Sequence, residues 1–386
     1  MANLTHDRYI LPFILEALPR KLIFIGGPRQ VGKTTLSQYV LAGCIAKKLT
    51  ASHPGYLNWD IVQDRKKLMA GELPSEQNLI VLDEIHKYAK WRNLVKGFYD
   101  GSKGKREFII TGSAKLDYYR KGGDSLQGRS RLFRLHPYSV NELGITNKKD
   151  LNTLIEFGGF PEPLSRQDKA EWRIWQNDRT ERVIYDDLRD LENVREISLV
   201  EELAEALPAR VASVLSIKSL REDLQVSHEA ALRWVSILER LYYCFRIPPY
   251  GSPRIRAVKK EQKLYLWDWS SAPSSGARFE NLVASQLLKY CHFIEDTEGY
   301  KMELRFLRDT DKREVDFVVM KGKSALFAVE CKTGEKQVSP AVRYFKERTP
   351  IPQFYQVHMG ERDFEDTVAG IRVLPFLKFC RLLEMP

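Results

Sequence analysis

Three observations predict an α/β fold built in three parts. Over about the first 145 residues, short apolar runs alternate with helical stretches, which is typical of a parallel sheet flanked by helices. Apolar positions three and four apart predict a helical middle between Glu171 and Leu241. From Arg278 onward, one helix precedes several strands. We therefore expect domains at 1–165, 166–270 and 271–386.

Eight apolar runs are the candidate strands. The first part holds five, at 22–25, 56–59, 79–82, 108–111 and 132–135. The last part holds three, around 302–307, 315–320 and 326–331.

Composition indicates an ordinary globular protein. The 386 residues are 43% hydrophobic and 29% charged, and the five cysteines show no paired spacing that would predict disulfides or a zinc site. The first 21 residues lack the features of a signal peptide, and no apolar run approaches the roughly 20 residues that cross a bilayer. We expect a cytoplasmic protein without membrane contact.

Positive charge is concentrated in the first third of the chain. Residues 1–150 contain 25 lysines and arginines against 14 acidic residues, and the segment from Lys103 to Arg134 has nine cations against three anions. Such a field attracts polyanions, of which DNA is the expected partner. The alternative is that the basic excess consists of a solvated surface together with cations that bind the nucleotide.

A phosphate-binding loop is the strongest motif. Residues 27–34 fit the pattern G-x-x-x-x-G-K-[ST] between an apolar strand and a helix start. Backbone N–H groups of such a loop face phosphate oxygens, Lys33 adds a cation, and Thr34 can bind Mg²⁺. The motif predicts binding of ATP with Mg²⁺. The nucleotide-binding candidates are Gly27, Pro28, Arg29, Gln30, Val31, Gly32, Lys33, Thr34 and Thr35.

A pair of carboxylates supplies the second half of this site. Asp83 and Glu84 directly follow the apolar run at 79–82. We expect Asp83 to help hold Mg²⁺ and Glu84 to orient and polarise the attacking water. A second carboxylate after the metal-holding one favours hydrolysis over simple nucleotide storage.

These motifs resemble those of the AAA-type P-loop ATPases over residues 20–140. The resemblance implies that Thr111 or Ser113 senses the γ-phosphate. It also implies that Arg129, beside Gly128, contacts a γ-phosphate, within its own subunit or in a neighbour of a homo-oligomer such as a ring. The competing interpretation of Arg129 is one more cation in a basic stretch.

A helix-turn-helix outline lies in the middle part. Ser216 and Ser227 are expected to cap two helices that end near 224 and 241, and strands at 242–248 and 263–267 would form a wing. Such winged-helix units often read DNA through the second helix. In AAA-type proteins the unit is frequently a structural lid, and the mixed charge of the second helix favours that role.

The last part carries a second set of charged residues. Glu280 lies in a predicted helix, Asp316 in a strand, and Glu330 and Lys332 on one face of the next strand. This set resembles the restriction-endonuclease-like family, which implies Mg²⁺ at Asp316 and Glu330, support from Glu280, and Lys332 acting on the water. A surface ion pair is the alternative for Glu330 and Lys332.

The order of parts resembles a prokaryotic group of AAA-type ATPases with an endonuclease-like C-terminal half. We therefore expect a Mg²⁺-dependent ATPase that binds and remodels DNA, including branched or junction DNA, with the last part binding or cutting it. The alternative is a nucleotide-switched regulatory ATPase whose last part docks a partner.

Overall fold

The computed structural model describes residues 4, 6–45, 48–102, 104–112, 126, 128–187, 197–251, 261–367 and 370–386. These residues form three sheets with helices between and around them. Within the described ranges, no helix is long and apolar enough to cross a membrane.

The first sheet is parallel and has five strands. Each predicted run forms one of them, and their spatial order is β2-β3-β4-β1-β5. The carboxyl ends of parallel strands share one edge, so the loop after β1 and the carboxylates after β3 are neighbours. The strands are β1 Leu22–Gly26, β2 Tyr56–Asn58, β3 Leu79–Asp83, β4 Glu107–Thr111 and β5 Ser130–Arg134.

Helices cover both faces of this sheet. Alternate residues of one strand enter different cores: Ile23 and Ile25 pack on one face, and Leu22 and Phe24 on the other. Burial on both faces explains why the strands are apolar throughout rather than alternating. The helices of this part are α1 Leu11–Ala17, α2 Lys33–Leu41, α3 Val62–Ala70 and α4 Trp91–Ser102.

The middle part is helical and ends in a small antiparallel sheet. Ser216 and Ser227 cap α9 and α10 as expected, by accepting the backbone N–H of Ser219 and Ala230. Strands β7 and β8 follow α10 and pair with each other, and β6 adds to β8. Two helices that lie within the predicted bounds of the first domain, α5 Lys148–Phe157 and α6 Pro161–Arg166, contribute Leu151, Leu154 and Leu164 to the core of the middle part and belong with it. The other elements are α7 Lys169–Arg182, α8 Ile197–Ala206, β6 Ser213–Val214, α9 Ile217–Asp223, α10 His228–Arg240, β7 Cys244–Ile247 and β8 Lys263–Leu266.

The last part packs a long helix against a mixed six-stranded sheet of order β13-β14-β12-β11-β10-β9. The three predicted strands are its β9, β10 and β11, and β10 pairs antiparallel with both neighbours. The elements are α11 Ser275–Glu298, β9 Met302–Arg308, β10 Glu314–Lys321, β11 Ser324–Lys332, α12 Pro340–Arg348, β12 Gln353–His358, β13 Phe364–Asp366, β14 Ile371–Pro375 and α13 Phe376–Leu382.

The middle and last parts share one hydrophobic core. It runs from Tyr138 through the middle helices to Met385. A close contact joins the end of α5 to this core: Trp269 donates its indole N–H to Leu154 O at 2.9 Å. A Cβ on Gly159 would lie 2.5 Å from the Trp269 ring, so only glycine fits there.

Candidate functional site

The loop between β1 and α2 has the backbone geometry that the motif requires. Gly27 has φ 147°, and a Cβ there would lie 2.3 Å from Leu135 O of the neighbouring segment. Gly32, with φ 101°, immediately precedes α2. Side chains other than hydrogen are strained at both positions. The loop therefore turns tightly, and α2 begins beside the carboxyl end of β1.

Lys33 is folded into this loop. Its ammonium donates to Gly27 O at 2.9 Å and Pro28 O at 2.7 Å, and the side chain is buried. Lys33 is also the first residue of α2, whose N-terminal N–H groups favour an anion. A cation and a helix start thus meet at one point, which is the chemistry of phosphate binding.

The loop residues between the glycines are largely withdrawn from solvent. Val31 is fully buried, and Gln30 adopts a left-handed backbone conformation with φ 60°. Pro28, Arg29 and Thr35 complete the predicted set, and Thr35 lies in the first turn of α2.

Asp83 is the centre of a hydrogen-bond network at the carboxyl end of β3. Its Oδ2 accepts the Thr34 hydroxyl at 2.8 Å and the Tyr56 hydroxyl at 2.5 Å, and its Oδ1 accepts the Thr111 hydroxyl. Burial and the Asp83 charge raise the pKa of Tyr56, which stays a donor. Tyr56 is a partner that the sequence motif does not reveal.

Glu84 lies beside this network in an unusual backbone conformation. Its φ is 55°, in the left-handed region that glycine and asparagine prefer. Its Oε2 is buried without a hydrogen-bond partner and lies 3.6 Å from His86 Nε2. The pKa of Glu84 is raised to about 7, chiefly by burial; the Lys33 charge lowers it and the Asp83 charge raises it. A partly desolvated carboxylate with a free oxygen can receive a proton from water near neutral pH.

The charged residues of the last part converge on a lysine of the middle part. Lys263 of β8 donates to Glu280 Oε1 at 2.8 Å, to Glu314 Oε1 at 2.8 Å and to Asp316 Oδ1 at 3.2 Å. The second Asp316 oxygen accepts the Cys331 backbone N–H at 2.8 Å. No group of three potential metal ligands among histidine, cysteine, aspartate and glutamate occurs in the described residues.

Glu330 and Lys332 form a pair at the edge of this acidic cluster. Lys332 Nζ donates to Glu330 Oε1 at 2.5 Å, in line with the ion-pair alternative. Burial, reinforced by Asp316, raises the pKa of Glu330 to about 8, and burial with the Asp316 charge raises that of Glu280 to about 7. Lys332 thus binds a carboxylate of its own strand.

A comparison with known family models gives one match of known type, in the first third of the chain. Residues 19–144 match the family model of the AAA domain. Residues 148–274 and 275–379 match two models described as domains of unknown function, DUF8612 and DUF4143. The AAA match supports a P-loop ATPase, in agreement with the parallel sheet.

Several relatives extend over most of the chain. An uncharacterised protein of Mycobacterium tuberculosis is 22% identical over 369 residues, covering 91% of this chain and 79% of the relative. Two uncharacterised proteins of Methanocaldococcus jannaschii are similar as well. One is 24% identical, covering 79% of this chain and 73% of its own, and the other is 22% identical, covering 86% and 78%.

The AAA domain offers a set of groups that fits Mg²⁺ and a triphosphate. The Thr34 hydroxyl and the Asp83 carboxylate are oxygen ligands of the kind that Mg²⁺ takes, and they are already in contact. When bound, Mg²⁺ neutralises charge on the phosphate oxygens. Lys33 is the cation that would bind the same phosphates, and Glu84 lies close enough to Asp83 for the two carboxylates to repel each other.

Of the other residues predicted for this site, Arg129 is not brought to it, and Ser113 cannot be placed. Ser113 lies outside the described residues, whereas Thr111 binds Asp83 directly. Arg129 precedes β5 at the opposite end of the sheet from the loop, because Ser130 pairs with Leu22. Four residues of strand separate Leu22 from Gly26, or about 13 Å at 3.3 Å per residue. Arg129 therefore cannot reach the phosphates of its own subunit.

Arg129 instead forms an exposed ion pair with Asp100 at 2.7 Å. Two other cations of the basic stretch are also used within the protein. Arg134 binds the carboxylates of Glu295 and Asp296, and Arg131 donates to backbone oxygens at the end of α11. These arginines join the AAA domain to the last part.

A buried ion network links the phosphate loop to α11, and sequence motifs did not reveal it. Arg8 donates to Val31 O at 3.0 Å and pairs with Glu142 at 2.8 Å, and Glu142 also accepts Lys289 of α11. The two cations hold the pKa of Glu142 down at about 2 against the opposing effect of burial. The only sequence signal is a lysine among apolar neighbours at 287–291.

Proposed function

We propose that this protein is a Mg²⁺-dependent ATP hydrolase that acts on DNA. One observation carries the hydrolytic part: Glu84 has a buried, unbonded oxygen immediately after Asp83, which contacts Thr34 of the phosphate loop. A storage site needs the loop and the magnesium ligands but has no need of a water-orienting carboxylate.

Each residue has a separate role in this proposal. Lys33 binds the β- and γ-phosphates, Thr34 and Asp83 hold Mg²⁺, and Thr111 fixes Asp83 by donating its hydroxyl. Glu84 aligns the attacking water and accepts its proton as the bond to the γ-phosphorus forms. The bond between the γ-phosphorus and the β–γ bridging oxygen breaks in the same step, and the charge that develops on the leaving ADP is balanced by Lys33 and by the N-terminus of α2.

Replacement of Lys33 tests the binding half of the proposal. Lys33→Ala removes the buried cation and is expected to abolish ATP binding, measured by calorimetry with Mg²⁺ present. Lys48→Ala, at an exposed lysine beyond α2, is the matched control and should bind normally. Unchanged ATP affinity in Lys33→Ala would refute the assignment of the loop.

DNA is the proposed partner because of the charge distribution. Lys66 and Lys67 of α3, Lys90 and Lys105 are exposed, and within the described residues their side chains make no ion pair. Lys67 lies in the last turn of α3 and Lys105 precedes β4, so both lie toward the amino ends of the strands, away from the phosphate loop. Uncompensated cations on one side of a domain attract a phosphate backbone.

A binding assay decides between DNA and the regulatory alternative. Single-stranded, duplex and four-way DNA are titrated with protein, with and without ATP. We expect binding that changes with ATP and weakens steeply with salt. Absence of binding to every form would favour a nucleotide-switched regulatory ATPase that docks a protein partner.

A further inference from the structure

The acidic cluster of the last part encloses a buried ammonium group. Glu280, Glu314 and Asp316 all contact Lys263 Nζ within 3.2 Å. The Lys263 side chain is 1% exposed, so water does not compete for these contacts. Within the described residues, these carboxylates surround a cation that the chain itself supplies.

The backbone that carries Lys263 is firmly attached to the last part. The Asn281 side chain of α11 accepts Leu266 N–H at 2.9 Å and donates to Leu266 O at 2.8 Å. Tyr265 donates its hydroxyl to Glu280 at 2.8 Å. Beyond β7, Tyr250 N–H donates to Phe306 O of β9 at 2.6 Å. Lys263 is therefore held in the cluster by its strand and not only by its own charge.

At least one oxygen of each carboxylate that a metal would need already accepts a hydrogen bond within the protein. Asp316 gives one oxygen to Lys263 and the other to the Cys331 N–H. Glu330 gives one oxygen to Lys332, and Glu280 gives the same oxygen to Lys263 and Tyr265. A hard divalent cation needs carboxylate oxygens and the volume between them. The Lys263 ammonium occupies the volume between Glu280, Glu314 and Asp316. The side chains present do not fit a catalytic metal.

We propose that Lys263 is the permanent cation of the acidic cluster, in the place of a divalent metal, and that this cluster fastens the middle part to the last part. The last part then binds its partner without metal-dependent cleavage of phosphodiester bonds. This inference is independent of ATP hydrolysis, because the two sites share no residue.

Manganese binding to nucleotide-free, full-length protein tests the proposal. Mn²⁺ is titrated and followed by electron paramagnetic resonance for wild type, Lys263→Ala, Lys263→Met, and each combined with Asp316→Asn. Lys301→Ala, at a lysine whose side chain is 74% exposed, is the matched control. We expect that wild type and the control have no Mn²⁺ site that depends on Asp316. The Lys263 variants should gain one, at least tenfold tighter than any wild-type binding.

Thermal unfolding supplies a second readout. Mn²⁺ should raise the melting temperature of the Lys263 variants by several degrees and leave that of wild type unchanged. Folded Lys263 variants that gain no Mn²⁺ site would overturn the proposal, because the lysine would then not occupy a metal position. If neither Lys263 variant folds, the wild-type protein is tested alone. Mn²⁺ binding or DNA nicking that Asp316→Asn abolishes would overturn the proposal, and the absence of both effects would support it.

Discussion

Replacing Glu84 by glutamine separates ATP binding from hydrolysis. Glutamine keeps the size of the side chain and removes only its charge, while Lys33, Thr34 and Asp83 keep their contacts. We expect ATP binding to persist and turnover to fall by about 10²–10⁴-fold, the usual contribution of a positioned general base. In wild type, kcat/KM should fall as the pH drops below about 7, because the buried carboxylate then becomes protonated.

The same substitution should change the stability of the nucleotide-free protein. Burial raises the pKa of Glu84 from 4.5 to about 7, so the folded state holds this proton more tightly than the unfolded state. Below pH 4.5 the group is neutral in both states and costs nothing. Between pH 4.5 and 7 the carboxyl group is ionised in the unfolded state but still largely protonated in the folded state, so the free energy of unfolding falls as the pH rises. At about 1.4 kcal/mol per pH unit the full cost is about 3 kcal/mol, an upper value because 21% of the side chain is exposed.

Glu84→Gln lacks this charge at every pH. It should be more stable than wild type by up to about 3 kcal/mol at pH 8 and equally stable near pH 4.5. Urea unfolding at both pH values measures the difference, and phosphate release measures turnover. Glu72→Gln, at an exposed position after α3, is the control. Full turnover in Glu84→Gln would refute the catalytic role, and equal stability at pH 8 would refute the burial argument.

Three further variants test the rest of the molecule. Glu142→Gln leaves two buried cations without a counter-charge and should lower the free energy of unfolding by about 3–5 kcal/mol. In wild type the stabilisation from Glu142 should be lost as the pH falls from 4.5 toward its pKa of about 2, which acid-unfolding curves measure. Arg129→Ala should retain ATP binding and lose up to about 10³-fold in turnover if the residue serves a neighbouring subunit. Mixing this variant with Glu84→Gln should then restore some activity, because each supplies the group that the other lacks. Normal turnover by a monomeric Arg129→Ala would contradict this role. Charge reversal at Lys105 and Arg106 should flatten the salt dependence of DNA binding, by about 0.9 in the log–log slope for each phosphate that the variant no longer binds; an unchanged slope would place the DNA elsewhere.

The phosphate site was predictable because its chemistry lies in short, contiguous segments. Residues 22–34 and 79–84 each combine an apolar strand with polar residues at its end, and a parallel sheet brings such ends together. Local sequence thus sufficed to predict the contact between Thr34 and Asp83.

The contacts between the parts were not predictable in this way. Lys263 and Asp316 are 53 residues apart, and Arg8 and Glu142 are 134 apart. A lysine in a strand is usually read as a solvated end, and only its apolar neighbours in 262–267 hint at burial. The position of Arg129 does follow from local sequence: it precedes the run at 132–135, and in a parallel sheet this places it at the amino ends of the strands, opposite the phosphate loop.

Helix α11 has a mechanical consequence for the whole protein. Its 24 residues span about 36 Å at 1.5 Å per residue. Glu280 near its start contacts Lys263, Lys289 contacts the network that supports the phosphate loop, and Asp296 near its end binds Arg134. An unbroken helix transmits a displacement along its axis, because shortening it requires breaking backbone hydrogen bonds. The phosphate-loop network, the acidic cluster and the Arg134 contact are therefore fastened to one rigid element, so that none of the three can shift along the helix axis without the others.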